Sequence, residues 1–324
     1  MDRIALVTGA TGVIGPSLVG HLLARGYRVR ALLRPGSATD ALPEAVEIVK
    51  GDIADGAPMQ GALEGVDCVF HLAAKLHINN PSSALRDEYR QANVEGTRRL
   101  AEAAKGAAVR RLVFFSTINV YGATRPGEVK DEASPLNPDS LYAETKVEGE
   151  RIVLDSLPAV VLRLAAVYGP RMKGNYPRLL NAVKHGRLAM IGDGLNRRTL
   201  VHVEDVCAAA LDVAVEDAAA GESYNVTDGE IHTLREIVCA MSEALGHAPT
   251  RLSLPARPVR FAAGLLEDSL RLVGKRSPVG RATVDKFVED IAVSGEKLKR
   301  EMNYRPQYDL SEGWRQTVEQ MGVN

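Results

Sequence analysis

The stretch Ile4-Ala5-Leu6-Val7-Thr8-Gly9-Ala10-Thr11-Gly12-Val13-Ile14-Gly15 joins a short apolar run to three glycines spaced three apart, and the amphipathic run Ser17-Leu18-Val19-Gly20-His21-Leu22-Leu23-Ala24 follows at once. A buried strand that turns straight into a helix through glycines fits very few folds. Without a Cβ, Gly9 and Gly12 can make the tight turn and let a pyrophosphate reach the backbone amides, while Gly15 lets the new helix lie close to the sheet. The helix N-terminus then presents unpaired N–H groups and a partial positive charge to the anion. A chain with 29 glycines yields such spacings by chance, so the strand before the turn and the helix after it carry the inference.

The remainder of the chain keeps the alternation. Apolar, β-branched runs at Tyr27–Leu33, Val46–Asp52, Val66–Ala73, Arg111–Thr117, Ala159–Leu164 and Glu222–Val226 are separated by helical periods at about 87–105, from 141 onward, and at about 203–215. That order predicts an α/β fold with a doubly wound parallel sheet. From about residue 229 helices and Pro-containing connections such as Pro255-Ala256-Arg257-Pro258 take over. The expected division is a dinucleotide-binding domain over 1–165 and 200–228, with a smaller, mainly helical substrate lobe over 166–199 and 229–324.

Composition narrows the partners. With 324 residues, 45% of them hydrophobic, the chain can bury a full core, and a net charge of −1 gives no field for nucleic acid or an anionic membrane. Cys68, Cys207 and Cys239 lie far apart in apolar patterns, which reads as buried free thiols rather than a disulfide framework or a metal site. No apolar stretch is long enough to span a bilayer and no signal-like leader precedes the first strand, so a soluble, cytoplasmic protein is expected.

Tyr142 and Lys146 stand four residues apart, on one face of a predicted helix. Alone, that spacing describes many solvated pairs. Thr117, at the end of the strand before it and preceded by Ser116, and the glycine turn on the first strand bring all of these groups to the carboxyl ends of one sheet, where ligands collect in open α/β folds.

These segments, with Gly51-Asp52-Ile53, His71-Leu72-Ala73-Ala74, Ala92-Asn93-Val94-Glu95-Gly96-Thr97, Ser116-Thr117-Ile118-Asn119-Val120-Tyr121-Gly122, Leu162-Arg163-Leu164, Tyr168-Gly169-Pro170 and Arg198-Thr199-Leu200-Val201-His202-Val203-Glu204-Asp205-Val206, occur in one order along nearly the whole chain. The sequence resembles the extended short-chain dehydrogenase/reductases of the NAD-dependent epimerase/dehydratase group. The resemblance implies Tyr142 as general acid/base, Lys146 as holder of the nicotinamide ribose that also lowers the phenol pKa, and Thr117 as hydrogen-bond partner of the reacting oxygen. It further implies cofactor contacts from Gly9, Thr11, Gly12, Val13, Ile14, Gly15, Asp52, Ile53, Leu72, Ala73, Ala74, Lys75, Asn93 and Val167, and substrate contacts from Thr117, Asn119, Asn175, Arg198 and Arg281. His71 reads as a satisfied strand-end histidine.

Departures from the pattern shape the expected reaction. Dehydratases of the group carry an acidic pair after the hydroxyl residue, but Ile118-Asn119 stands here, which disfavours water elimination. Nucleotide-sugar epimerases usually carry an Asn where this chain has Ala166, whereas Arg198 stands where the group places a diphosphate-binding arginine. The leading expectation is a sugar-nucleotide 4-epimerase. Alternatives are an NADP-dependent 4-keto-sugar reductase and a hydroxysteroid- or dihydroflavonol-type enzyme acting on a hydrophobic alcohol or ketone, toward which Ala166 and the ending Lys286–Val293 point. A dinucleotide-binding module without chemistry is the non-enzyme reading, and an intact Thr117, Tyr142 and Lys146 argues against it.

The cofactor is expected to be NAD or NADP. NAD-selective folds place a carboxylate at the end of the second strand, but the chain reads Leu32-Leu33-Arg34-Pro35-Gly36-Ser37, so Arg34 tilts the expectation toward NADP. Small and apolar residues on several faces of the helices at about 87–105 and 141–154 suggest a homodimer. The run Arg260–Leu266 reads first as an ordinary packed helix, with a substrate lid or a lipid-facing surface as alternatives.

Overall fold

The computed structural model describes residues 3–54, 59–75, 83–249, 252–274, 277 and 280–323. Seven parallel strands form the central sheet: β1 (Ile4–Thr8), β2 (Arg28–Leu33), β3 (Glu47–Lys50), β4 (Cys68–His71), β5 (Arg111–Thr117), β6 (Ala159–Leu164) and β7 (Ser223–Val226). Their order is β7-β6-β5-β4-β1-β2-β3. The chain builds outward from β1 to β3, then returns to the other side of β1 with β4. The register brings Thr8 opposite both Leu32 and His71. A crevice therefore opens between the carboxyl ends of β1 and β4, the switch point of a doubly wound sheet.

Parallel strands covered on both faces need no hydrophobic alternation, and β1, β5 and β6 are buried almost end to end. On one face the helices Gly15–Ala24 and Val203–Val215 contribute Leu18, Leu22, Val206 and Ala210 to a core with Val7, Phe70 and Leu162. On the other, Leu100 and Ala104 of the helix Gly96–Gly106 and Ile152 and Val153 of the helix Leu141–Ser156 pack with Leu6, Val69 and Phe114. A third core joins Tyr168, Leu180 and Leu200 to Leu234, Met241 and Trp314. Val293, Leu298 and Tyr304, inside the stretch expected to belong to the lobe, pack into the first of these cores against the sheet.

The helical period at 87–105 is not one regular helix. An α-helix Ser83–Arg90 passes into a π-helix Gln91–Glu95 and then into the helix Gly96–Gly106. Cys68 and Cys207 are buried and Cys239 is half-buried, all three as free thiols. Among the described residues no helix is long and apolar enough to cross a membrane.

Candidate active site

The glycine turn has the shape its sequence requires. Gly9 takes φ +73, and a Cβ there would lie 2.7 Å from the main-chain N of Ala73, so the turn from β1 lies directly against the segment that leaves β4. At Gly15 a Cβ would stand 2.3 Å from the carbonyl oxygen of Ala10, which fixes the close approach of helix to turn. Gly12 closes the turn by donating its N–H to Gly9 at 2.9 Å. Thr11, Gly12, Val13 and Ile14 are partly exposed at the mouth of this cradle.

A hydrogen-bonded chain ties the strand ends together. The Thr8 hydroxyl accepts from the Ala73 N–H at 3.2 Å, so its proton goes to Nδ1 of His71 at 2.7 Å. Thr97 gives its hydroxyl proton to the Asn93 carbonyl at 2.7 Å, which leaves it to accept from Nε2–H of His71 at 2.9 Å. His71 is thus a neutral imidazole with both nitrogens used. Burial, with the Lys146 charge adding, takes its pKa down to about 3. Asn93, on the π-helix, accepts from the Lys75 N–H at 2.7 Å, and its amide donates to the Lys75 carbonyl at 3.2 Å and to Thr145 at 3.1 Å. It holds the segment Leu72-Ala73-Ala74-Lys75 against the helix that carries Tyr142. Asp52 accepts from the Ala54 N–H at 2.9 Å, and Ile53 is buried where a Cβ on Gly96 would meet its side chain at 3.0 Å.

Tyr142, Lys146 and Glu150 follow one another at intervals of four on the helix Leu141–Ser156, whose N-cap Ser140 accepts from the Ala143 N–H at 3.3 Å. Gly149 lets this helix approach β5, since a Cβ there would lie 2.7 Å from Phe114. Phe114 in turn lies under Lys146, whose Nζ is 4.4 Å from the ring centroid. Burial brings the Lys146 pKa down to about 8, opposed by the Glu150 charge. The phenol differs from expectation: burial, reinforced by the neighbouring Tyr89, pushes the Tyr142 pKa up to about 12. Desolvation dominates, and Tyr142 holds its proton at neutral pH.

Thr117 ends β5 and caps the short 3₁₀ turn Ile118–Tyr121, accepting from the Asn119 N–H at 3.3 Å. Ser116, beside it, donates to Glu150. Glu150 also takes a two-pronged grip from Arg163, whose Nη2 lies 2.8 Å from Oε2, and Arg163 donates to the Tyr121 hydroxyl at 2.8 Å. Tyr121 passes its proton to Asn225 on β7 at 2.9 Å. This buried network under Thr117, Tyr142 and Lys146 escapes sequence reasoning, because Glu150 and Arg163 lie on different elements and are usual surface residue types.

The expected substrate residues are placed unequally. Asn119 and Asn175 are exposed, and Val167 is half-buried on the strand Ala166–Tyr168. Arg198 donates to the main-chain carbonyls of Arg197 at 3.1 Å, Lys286 at 2.8 Å, Phe287 at 3.3 Å and also Glu289. It thereby satisfies the C-terminal carbonyls of the helix Arg281–Val288. Arg281 begins that helix and pairs with Asp268 at 2.7 Å.

A cleft of about 530 Å³ is lined by Thr11, Arg34, Ser37, Ala38, Asp40, Ala41 and Arg171. Arg34 and Arg171 reach it from different elements, one after β2 and one after the strand Ala166–Tyr168. Among the described residues neither guanidinium forms an ion pair or hydrogen bond, and Arg34 is engaged only through its carbonyl, which accepts from the Ser37 N–H at 3.1 Å. Arg171 is not among the expected contacts, although it directly follows Tyr168-Gly169-Pro170. The tight glycine cradle and this cationic cleft beside it fit a dinucleotide, with the turn amides for its pyrophosphate.

Residues 5–227 match the family model described as the NAD dependent epimerase/dehydratase family. The chain is 36% identical over 284 residues to sterol demethylase protein B of Methylococcus capsulatus, covering 84% of each chain. It is 31% identical over 325 residues to 2-alkyl-3-oxoalkanoate reductase of Stenotrophomonas maltophilia, covering 96% of this chain and 97% of the other. Among solved structures, the UDP-glucose 4-epimerase of Thermus thermophilus in complex with NAD aligns over 99% of both chains with a TM-score of 0.76 and 28% identity. The chain belongs to the NAD dependent epimerase/dehydratase family.

Proposed function

We propose that this family member is an NADP-dependent reductase that interconverts a ketone and a secondary alcohol on a hydrophobic substrate. The observation that carries the reading is the engagement of Arg198. Its guanidinium is occupied by the carbonyls of Lys286, Phe287 and Glu289, and Arg281 is paired with Asp268, so both arginines considered for a sugar-nucleotide diphosphate already have partners. Binding a diphosphate at Arg198 would strip the end of a helix of its cap. Relatives named for a sterol and for a 2-alkyl-3-oxoalkanoate support the same substrate class.

The protonation of Tyr142 supports the reductive direction. A reduced nicotinamide, held by Lys146 beside Tyr142, would supply a hydride. Tyr142 holds the proton that the carbonyl oxygen would take when the ketone is reduced to a secondary alcohol. Thr117 donates to the same oxygen and fixes its position. Lys146, held over Phe114 and charged at neutral pH, is assigned to the ribose and to returning Tyr142 to its neutral form between turnovers. Arg34 and Arg171 are assigned to an adenosine 2′-phosphate; Asp40 on the same cleft opposes a dianion, so the two arginines must outweigh it. Ile118-Asn119 provides no acid for dehydration. A homodimer through the helices Gly96–Gly106 and Leu141–Ser156 is part of the proposal, although Arg98, Glu102, Arg151 and Asp155 make their outer faces more polar than the sequence suggests.

A second reading, a nucleotide-sugar 4-epimerase, is favoured by the likeness to the UDP-glucose 4-epimerase structure. Following NADPH oxidation with β-keto acyl chains and steroid ketones, beside an NMR assay of UDP-glucose and UDP-N-acetylglucosamine without added cofactor, separates the two. Oxidation of NADPH by the hydrophobic ketones is expected. Formation of C4 epimers with no response to those ketones would replace this reading by the second.

A further inference from the structure

The helix Ala256–Leu272 leaves most of its apolar surface uncovered. Along its 17 residues only Ala263 and Gly264 are buried. At 3.6 residues per turn, Pro258, Phe261, Ala262, Leu265, Leu266, Ser269 and Leu272 fall in one arc of about 140°. All five charged residues of the helix, Arg257, Arg260, Glu267, Asp268 and Arg271, fall outside it. Half-buried Val259 and Leu270 turn inward with Ala263, and exposed ion pairs run along the edge: Arg260 pairs with Asp285 at 2.6 Å, and Arg281 pairs with Asp268 and sits where a Cβ on Gly264 would lie 2.5 Å from its guanidinium. The apolar side faces out, with Phe261 69% exposed, Leu265 53%, Leu272 89% and the adjoining Val273 66%. Of the thirteen exposed large hydrophobics among the described residues, seven lie between Leu252 and Val273. Val259, Ala263 and Leu270 already form the inward apolar strip, so this second, wider apolar arc is surface that a soluble helix does not need and is built to be covered.

We propose that the helix Ala256–Leu272 docks the protein on the surface of an anionic lipid bilayer, lying in the interface without crossing it. Charge selects lipid over the other occupants. Residues 251–276 carry Arg251, Arg257, Arg260, Arg271, Lys275 and Arg276 against Glu267 and Asp268, a net charge of +4 in a chain whose total is −1. Exposed Arg257 and Arg271 flank the apolar arc near its two ends. A second copy related by a two-fold axis across the helix would bring Arg257 against Arg271, and one along the helix would set each arginine against its own copy, like-charge contacts in both cases, whereas anionic headgroups complement both ends. Apolar insertion with cationic flanks is the composition of interfacial helices.

The test uses the whole protein and vesicles of phosphatidylcholine with about 30% phosphatidylglycerol, a composition of ordinary anionic surface charge. Trp314 is fully buried and is the sole native tryptophan, so Phe261→Trp gives a surface reporter against a shielded background. Brominated acyl chains should quench the new tryptophan, co-sedimentation should weaken in pure phosphatidylcholine and in high salt, and Phe261→Glu with Leu265→Glu should lower the partition coefficient at least about tenfold. An unchanged thermal transition and unchanged NADP binding would show that the double variant is folded. Absence of quenching, vesicle binding insensitive to the double substitution, or a monomer–dimer equilibrium abolished by it would each overturn the proposal, the last in favour of a second copy.

Discussion

Thr8 and His71 meet at 2.7 Å across the carboxyl ends of β1 and β4, and the imidazole, held between Thr8 and Thr97, stays neutral because it is fully buried and both of its nitrogens are engaged. The glycine turn, the Ala73 segment and the Asn93 helix all depend on that one ring for their relative positions.

Stability should follow its titration. The folded pKa of about 3 lies below the ordinary histidine value of 6.5, so the unfolded chain binds one more proton between these values. Stability contributed by neutral His71 is complete above pH 6.5 and is lost as the pH falls toward 3, at about 1.4 kcal/mol per pH unit. Urea unfolding from about pH 7 to about pH 4 should show this slope, and His71→Gln should flatten it by one proton's worth; an unchanged slope would place the proton uptake elsewhere.

Replacing Tyr142 by Phe keeps the ring and removes the acidic proton. Turnover should fall about 100-fold or more with dinucleotide affinity unchanged. Single-turnover kinetics beside a cofactor titration measure both, and near-normal turnover would remove Tyr142 from the proton-transfer role.

Arg34→Ala and Arg171→Ala should each weaken NADP binding about 10–100-fold, the range for losing a charge-assisted hydrogen bond, and leave NAD within about twofold. Comparing 2′,5′-ADP with 5′-AMP by calorimetry isolates the 2′-phosphate. Equal losses for both ligands would assign the arginines to the adenosine or the pyrophosphate instead.

Glu150→Ala leaves the buried Arg163 guanidinium without its carboxylate and Ser116 without its acceptor. A loss of about 3–5 kcal/mol is expected in denaturant unfolding. Glu150→Ala with Arg163→Met should recover a large part of it, since the apolar pair leaves no unpaired charge.

How much of this the sequence reveals depends on the kind of signal. The strand β6 at Ala159–Leu164 and the helix Val203–Val215 that covers the sheet lie where expected, because buried parallel strands and amphipathic helices mark themselves by local runs. Thr117 at the end of β5 and Tyr142 and Lys146 on the next helix also lie where expected, but the roles proposed for them come from the family resemblance, since the spacing alone fits many solvated pairs. The Glu150–Arg163 pair, the occupation of Arg198 and the approach of Arg171 to Arg34 depend on tertiary neighbours that no window of sequence contains. The helix Ala256–Leu272 shows a third limit. Periodicity reveals that it is amphipathic but not how much of its apolar surface stays uncovered: Val259, Ala263 and Leu270 turn inward, while Phe261, Leu265 and Leu272 are exposed.

The π-helix at Gln91–Glu95 closes with the Gly96 N–H on the Gln91 carbonyl, five residues back. That wider loop holds one residue more than an α-turn, so the stretches on either side are out of phase by nearly a third of a rotation. Removing any one residue here would let the helix run on regularly, and would swing Asn93 off Lys75 while leaving Gly96 and everything after it in register. In an alignment of relatives, a single-residue gap at this place therefore marks a change in how the cofactor cleft is held, whereas gaps of that size in the surface loops carry no such meaning.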